Sequence, residues 1–274
     1  MDKFNSSAKL SWDVVEDYML YASWAQTYKS GGFDESGSYG DLPGEYPSGG
    51  NPAVFEFDDE EVISYEVGGK GLFLDGRLNA NWAAFYVEVN DQQFSRFVPG
   101  TGFVVGNSGQ KTYQGVELET QFLITENLLW DINAAYTEGN IDEPIESGIY
   151  QLEEKGSIDA IPTWGLTNHL GYSYDFGELE AKADMYNIYD DDVDFTGIVY
   201  HRDSAWRTNL RLALGSSDGV WEVAALCDNV TDEEVIILGQ VNALFTDSAE
   251  GPQTAGEAWV RMPRTYTLQA KYYF

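Results

Sequence analysis

The last eleven residues of the chain, RTYTLQAKYYF at positions 264–274, decide the fold. Alternate positions of this stretch are apolar or aromatic: Tyr266, Leu268, Ala270, Tyr272 and Phe274. A period of two is typical of a strand whose two faces meet different surroundings. In a soluble protein, an apolar strand at a chain end would invite aggregation, so an ordinary exposed edge strand is the weaker interpretation.

The rest of the chain repeats this pattern, with short and long connections in strict alternation. We predict about eleven strands: 7–13, 18–29, 62–75, 78–97, 111–124, 128–139, 164–176, 178–190, 204–215, 220–229 and 264–274. The short connections are 14–17, 75–77, 125–127, 176–178 and 216–219, and the long ones are 30–61, 98–110, 141–162, 192–203 and 231–263. An outer-membrane barrel has this layout, with short turns at one end and long loops at the other.

The two faces of the predicted strands differ in polarity. In segment 206–214 the apolar residues are Leu210, Leu212 and Leu214, and the polar residues between them are Arg207, Asn209 and Arg211. Tyrosines and tryptophans collect near strand ends, as they do at the two interfaces of a membrane. The sequence therefore predicts an all-β, antiparallel transmembrane β-barrel.

Composition excludes several classes of protein. The net charge of −31 argues against nucleic acid as a partner, because phosphate binding needs clustered lysines and arginines. One cysteine allows no internal disulfide, and with only two histidines a Cys- or His-rich metal centre is excluded. The mean hydropathy of −0.34, without a long apolar run, excludes a transmembrane helix.

Several segments together resemble the TonB-dependent outer-membrane receptors, in order and in spacing. They are YASWAQTYKSGGF (21–33), ISYEVGGK (63–70), LFLDGRL (72–78), VVGNSGQKTYQGVELE (104–119), CDNVTD (227–232) and PRTYTLQAKYYF (263–274). The resemblance covers essentially residues 1–274. It implies that Tyr266, Leu268, Ala270, Tyr272 and Phe274 form the signal that the barrel-assembly machinery reads on the last strand.

Receptors of this family have a plugged 22-stranded barrel. About eleven strands, an odd number, together with a final strand that ends at the turn side, imply that residues 1–274 are the C-terminal half of such a barrel. We expect this fragment to lack the plug domain, the TonB-contacting segment and the signal peptide, and not to function alone.

The resemblance implies a monomeric receptor in the outer membrane of a Gram-negative bacterium. It would import a scarce small-molecule nutrient, most naturally an iron–siderophore complex, with energy that reaches the missing plug through TonB. A passive porin-like barrel and a soluble carbohydrate-binding β-sandwich are the alternatives. No catalytic pattern, cofactor motif or metal site stands out, so we do not expect an enzyme.

Candidate substrate contacts lie in the last two long connections: His201, Arg202, Trp259 and Arg261. Loops on a rigid scaffold often carry binding residues, although a solvated surface is the simpler interpretation of these side chains. The acidic run at 190–194 resembles a calcium ligand set only in charge, since it lacks the glycine and terminal glutamate of a calcium loop. We interpret it as a solvated loop.

Overall fold

The structure is a computed structural model that describes residues 3–33, 56–98, 102–144, 155–158, 161–194, 201–241 and 256–274. Its strands are β1 (Ser6–Val15), β2 (Tyr18–Lys29), β3 (Gly32–Phe33), β4 (Glu56–Phe57), β5 (Glu60–Phe73), β6 (Leu78–Asn90), β7 (Gln93–Val98), β8 (Gly102–Asn107), β9 (Lys111–Thr125), β10 (Leu128–Ile141), β11 (Gly156–Ser157), β12 (Trp164–Asp175), β13 (Leu179–Asp190), β14 (Val193–Asp194), β15 (His201–Arg202), β16 (Ala205–Ser216), β17 (Trp221–Asp228), β18 (Ile236–Val241), β19 (Gly256–Val260) and β20 (Thr265–Tyr272). In this described part of the chain, no helix is long and apolar enough to cross a bilayer.

Eleven long strands form one continuous antiparallel sheet. Its order is β1-β2-β5-β6-β9-β10-β12-β13-β16-β17-β20, so that each long strand pairs with the long strands that come before and after it in the chain. Nine of the eleven have ten or more residues, which is the length that crosses a bilayer when a strand is tilted. The predicted all-β antiparallel wall and its count of eleven strands are confirmed.

Tight turns join the strands at one end of the sheet, which we call the turn end. Left-handed backbone conformations close three of them, at Leu74-Asp75-Gly76 (φ 56, 57 and 81°), at Gly177 (φ 82°) and at Gly219 (φ 76°). Glycine adopts positive φ without strain, which is why it recurs in such turns. The long connections leave from the opposite end, which we call the loop end.

The two faces of the sheet differ as the alternation predicts. The outer face exposes apolar side chains such as Val67, Leu118 and Leu212, which are 49%, 41% and 63% exposed. Aromatic pairs flank this apolar zone at both ends of the wall. Tyr136 packs edge-on against Trp164 at the loop end, and Tyr174 against Phe176 at the turn end. The polar side chains of the same strands lie on the other, inner face.

The long connections contain more regular structure than the sequence predicts. Short hairpins, β3–β4, β7–β8, β14–β15 and β18–β19, stand on the wall at its loop end, and β11 pairs with β10. The predicted strand 78–97 is wrong as a single element. The chain turns at Asp91, whose φ is 54°, so β6 ends at Asn90 and β7 leaves the wall to pair with β8 inside the predicted connection 98–110.

Two side-chain amides tie the bases of neighbouring connections together, and we call these contacts the rim ties. The side-chain amide of Gln93 donates to the carbonyls of Ser30 at 2.9 Å and Asp58 at 3.0 Å. The amide of Asn107 donates to the carbonyls of Asp58 at 3.0 Å and Asp91 at 2.7 Å, and its Oδ1 accepts from the Asp58 N–H. The connections from β2 to β5 and from β6 to β9 therefore share one hydrogen-bonded base.

Among the residues that the structure describes, the two edge strands of the wall pair with only one neighbour each. In β1, all ten residues are exposed, and β20 pairs with β17 alone among the described residues. The outward side chains of β20 are open too, with Tyr266 77% and Leu268 79% exposed. These edges are the parts of the wall at which further strands could pair.

Candidate functional site

A buried carboxylate at the loop end of the inner face holds two arginines. Asp190, at the end of β13, is only 7% exposed. The Nε of Arg207 in β16 donates to its Oδ2 at 2.5 Å, and Nη2 of Arg261 donates to its Oδ1 at 3.0 Å. Such charge-assisted hydrogen bonds are about twice as strong as neutral ones, and they fix both guanidinium groups in place.

The next residue, Asp191, organises a third arginine. Its carbonyl accepts from the Nε of Arg202 at 2.8 Å, and its Oδ2 accepts from the backbone N–H of Trp164 at 2.7 Å. Asp191 is 4% exposed. Arg202, Arg207 and Arg261 therefore surround the dipeptide 190–191, and we call these three side chains the arginine mouth.

The arginine mouth keeps one unpaired buried donor. Within the described residues, the Nε of Arg261 is buried and has no hydrogen-bond partner. Buried N–H groups are almost always paired, so an unpaired one marks a place where a bound acceptor would be favourable. The Arg261 side chain as a whole is 37% exposed, so a solute can approach the side chain, although not its buried Nε.

His201 lies beside the mouth, in the short β14–β15 hairpin. Its Nδ1 is 2.7 Å from Asp194 Oδ1, and its Nε2 is 3.4 Å from Asp203 Oδ1. The hydrogen bond to Asp194 is the main cause that raises the pKa of His201 above its ordinary value, and the charges of Asp203 and Asp192 act in the same direction. A protonated His201 would add a cation at the rim of the mouth.

The four predicted contacts are only partly brought together. Arg202 and Arg261 meet around residues 190–191, and His201 is adjacent to Arg202. Trp259 lies in β19 and is 46% exposed, with no ring contact to a described aromatic side chain. The substrate-contact role of all four stays a prediction.

The interpretation of 190–194 as a solvated loop is wrong for Asp190 and Asp191. Both are buried, because their partners come from β16, from β15, from the start of β12 and from Arg261 just after β19 rather than from the acidic run itself. The described residues contain no group of three or more histidine, cysteine or carboxylate side chains that could hold a metal ion. Sequence reasoning missed Arg207 as a site residue, although its place on the polar face of β16 was a usable signal.

The five residues expected to form the assembly signal lie at the free edge of the wall. Tyr266, Leu268, Ala270 and Tyr272 are outward positions of β20, and the rings of Tyr272 and Phe274 meet edge-on, 5.0 Å apart. Their exposure leaves them open to another protein, and recognition by the assembly machinery stays a prediction.

The chain matches a known family and known folds. The family model described as "TonB dependent receptor-like, beta-barrel" matches residues 1–230. No curated protein sequence is detectably similar to the chain. Among solved structures, the ferric yersiniabactin uptake receptor FyuA from Yersinia pestis has a TM-score of 0.71 at 18% identity, over 98% of this chain and 37% of FyuA.

Two further solved structures share the fold. The ferric-catecholate import receptor Fiu from K12 E. coli has a TM-score of 0.64 at 15% identity, over 98% of this chain and 34% of Fiu. The copper transporter OprC has a TM-score of 0.62 at 16% identity, over 98% of this chain and 39% of OprC. This chain therefore spans well under half the length of each of these proteins.

Proposed function

Because the chain belongs to the TonB-dependent receptor β-barrel family, a family of outer-membrane transporters, we propose that it serves in active uptake of an iron–siderophore complex. The chain supplies eleven strands of the wall and the connections at its loop end. Energy would arrive through TonB and a plug inside the barrel. Several of the structural neighbours are named as iron-chelate receptors, which supports iron as the cargo, and one is a copper transporter.

The arginine mouth is the observation that carries the choice of ligand. The chain has a net charge of −31 and only 15 lysines and arginines, yet three arginines meet at one point of the loop end. Forked guanidinium groups suit planar oxygen ligands such as carboxylates and catecholates. Because Arg207 and Arg261 share the single carboxylate of Asp190, the mouth keeps an excess of positive charge, and an anionic chelate would be attracted there.

We also propose that residues 1–274 are the C-terminal half of a 22-stranded barrel. Two observations support this proposal: the chain spans 37% of FyuA, and both edges of its wall lack a second partner among the described residues. The outer-membrane lipid, the TonB complex and the barrel-assembly machinery would then be its partners, with a single copy per receptor.

The test uses the full-length receptor in cells, with radioiron complexes of a tris-catecholate, a tris-hydroxamate and citrate as probes. Arg261→Gln is compared with Arg264→Gln. Arg264 pairs with Asp232 at 3.4 Å and does not contact Asp190. We expect Arg261→Gln to weaken binding of an anionic chelate about tenfold or more, as for a lost hydrogen bond to a charged group. Arg264→Gln should bind normally.

Binding is measured in energy-depleted cells, and uptake in energised cells with and without TonB. Uptake that persists without TonB would support the passive porin-like alternative. If no ferric chelate binds, or if Arg261→Gln binds each probe as the unaltered receptor does, the proposal is overturned.

A further inference from the structure

Six charged or ionisable side chains cross the inner face as a connected series, one from each of six consecutive wall strands. In chain order they are Asp131, His169, Asp184, Arg211, Glu222 and Lys271, from β10, β12, β13, β16, β17 and β20. We call this series the charge ladder. Its members alternate between acid and base, so each lies between groups that it can pair with.

The distances show that the ladder is continuous. The ring nitrogens of His169 are 2.9 Å from Asp131 Oδ2 and 3.0 Å from Asp184 Oδ1. Arg211 then donates to Asp184 Oδ2 at 3.2 Å and to Glu222 Oε1 at 2.6 Å. Lys271 Nζ lies 3.8 Å from the same oxygen of Glu222.

The ladder continues the arginine mouth toward the turn end. Arg207 and Arg211 occupy the same face of β16, and the same holds for Asp190 and Asp184 on β13. Between the two levels, the rings of Tyr186 and His169 stack at 4.2 Å with an interplanar angle of 7°. Below the ladder, a cleft of about 200 Å³ is lined by Glu180, Lys182, Ala213, Glu222 and Lys271. A polar track therefore runs along one side of the wall, from the mouth to the turn end.

The inner face formed by β2, β5, β6 and β9 has a different charge pattern. It carries Glu66, Lys70, Glu117 and Glu119 around a second cleft of about 200 Å³. No described lysine or arginine lies within ion-pair distance of Glu117 or Glu119, and both are exposed. Since Glu66 and Lys70 are four residues apart along a strand, about 13 Å, they do not pair with each other. Unpaired carboxylates repel an anion and hold a basic partner.

From this asymmetry we infer that the wall from β10 to β20 borders the path along which the imported chelate crosses the barrel. The inference rests on the proposed function. Groups that are already paired bind a passing solute weakly and at many points, which is what conduction requires. They also leave few unpaired charges with which a plug could form ion pairs. The part of the wall from β2 to β9 carries unpaired carboxylates instead. We therefore assign it to the side of the barrel on which the plug stays in contact with the wall.

Two exposed lysines provide a matched test, one on each of these two parts of the wall. Lys271→Gln removes the last cation of the charge ladder, and Lys70→Gln removes a cation from the part of the wall between β2 and β9. The full-length receptor is used with the same radioiron tris-catecholate, which is anionic, and with a neutral ferric tris-hydroxamate. Surface level and heat-modifiable gel mobility verify folding, and Arg211→Gln adds a stronger change at the centre of the ladder.

We expect Lys271→Gln to slow energised uptake of the anionic chelate roughly fivefold, while binding in energy-depleted cells and uptake of the neutral chelate change little. Lys70→Gln should leave all three quantities unchanged. Equal effects of the two lysine variants, or no effect of Lys271→Gln on uptake, would overturn the inference and leave the proposed function standing. If the unaltered receptor binds none of the ferric probes, both the proposed function and this inference are overturned.

Discussion

Asp190 is the residue on which the geometry of the arginine mouth depends. Its carboxylate is 7% exposed and accepts hydrogen bonds from two arginines, of which Arg207 is 13% exposed. Removing one partner of a buried ion pair leaves the other charge uncompensated, which typically costs about 3–5 kcal/mol. Because Arg261 is partly solvated, we expect Asp190→Asn to destabilise the receptor by about 3 kcal/mol, at the low end of that range.

The measurement is the temperature at which the detergent-solubilised full-length receptor loses its folded mobility on a gel. Asp203→Asn is the control, since the Asp203 side chain is 99% exposed and only approaches His201. Asp190→Asn should unfold at a clearly lower temperature, and Asp203→Asn at the temperature of the unaltered receptor. Equal unfolding temperatures for the two variants would show that the mouth is not held by Asp190.

His201 gives the loop end a dependence on pH with a definite sign. Since its pKa is raised by Asp194, the His201–Asp194 pair stabilises the β14–β15 hairpin fully below the ordinary value of 6.5. That contribution is lost as the pH rises through the raised pKa. We expect the rate of His201 modification by diethyl pyrocarbonate, which needs the neutral ring, to rise with a midpoint above 6.5. In Asp194→Asn the midpoint should fall, and an unchanged midpoint would contradict this assignment.

At the scale of single residues, the sequence predicts a side chain's face better than its partners. Alternation places Arg207 on the polar face of β16, which is where the structure has it. It does not reveal that Asp190 pairs with Arg207 and Arg261, which are 17 and 71 positions further along the chain. Such pairs depend on the register of strands and on the path of a long connection, and neither is encoded locally.

Among the elements, β5 shows why a glycine stands inside a long strand. A Cβ atom at Gly68 would lie 2.6 Å from the carbonyl oxygen of Trp82 and 2.6 Å from the ring of Tyr21. Tyr21 therefore covers the glycine, and the neighbouring backbone leaves no room for a side chain. A methyl group added at Gly165 in β12 would instead have the Cβ of Ala135 as its nearest atom, at 3.7 Å, which is an ordinary contact.

We expect Gly68→Ala to lower the free energy of unfolding by about 1–3 kcal/mol, because overpacking forces the Trp82 backbone or the Tyr21 ring to move. Gly165→Ala should be neutral or stabilising by up to about 1 kcal/mol, since it only restricts the unfolded chain. Urea denaturation of the refolded receptor, followed by tryptophan fluorescence, measures both. Similar losses in the two variants would contradict the steric explanation.

The elements of the wall follow from sequence more closely than those above it. Strand length, alternation and tight turns predict all eleven wall strands, because each depends on a local pattern. The hairpins at the loop end have no such pattern: β7 continues the apolar alternation of β6, and only the positive φ of Asp91 separates them. Its departure from the wall is decided by pairing with β8, not by local preference.

For the molecule as a whole, the two edges of the wall set a clear expectation. A strand edge in lipid leaves backbone N–H and C=O groups without partners, and each such group costs several kcal/mol. We expect residues 1–274, expressed alone with a signal peptide, to give no heat-modifiable barrel and no chelate uptake. The full-length receptor in the same membrane is the positive control. Uptake by residues 1–274 alone would refute the assignment of this chain as half of a larger barrel.

The rim ties bear on how such a receptor can diversify. Gln93 and Asn107 bind backbone carbonyls, so these contacts do not depend on which side chains their partners carry. The segments that extend beyond this base can change in length and composition while the seat on which they stand keeps its shape. The long connections could therefore be exchanged between receptors without disturbing the wall, provided that the residues of the hydrogen-bonded base are kept.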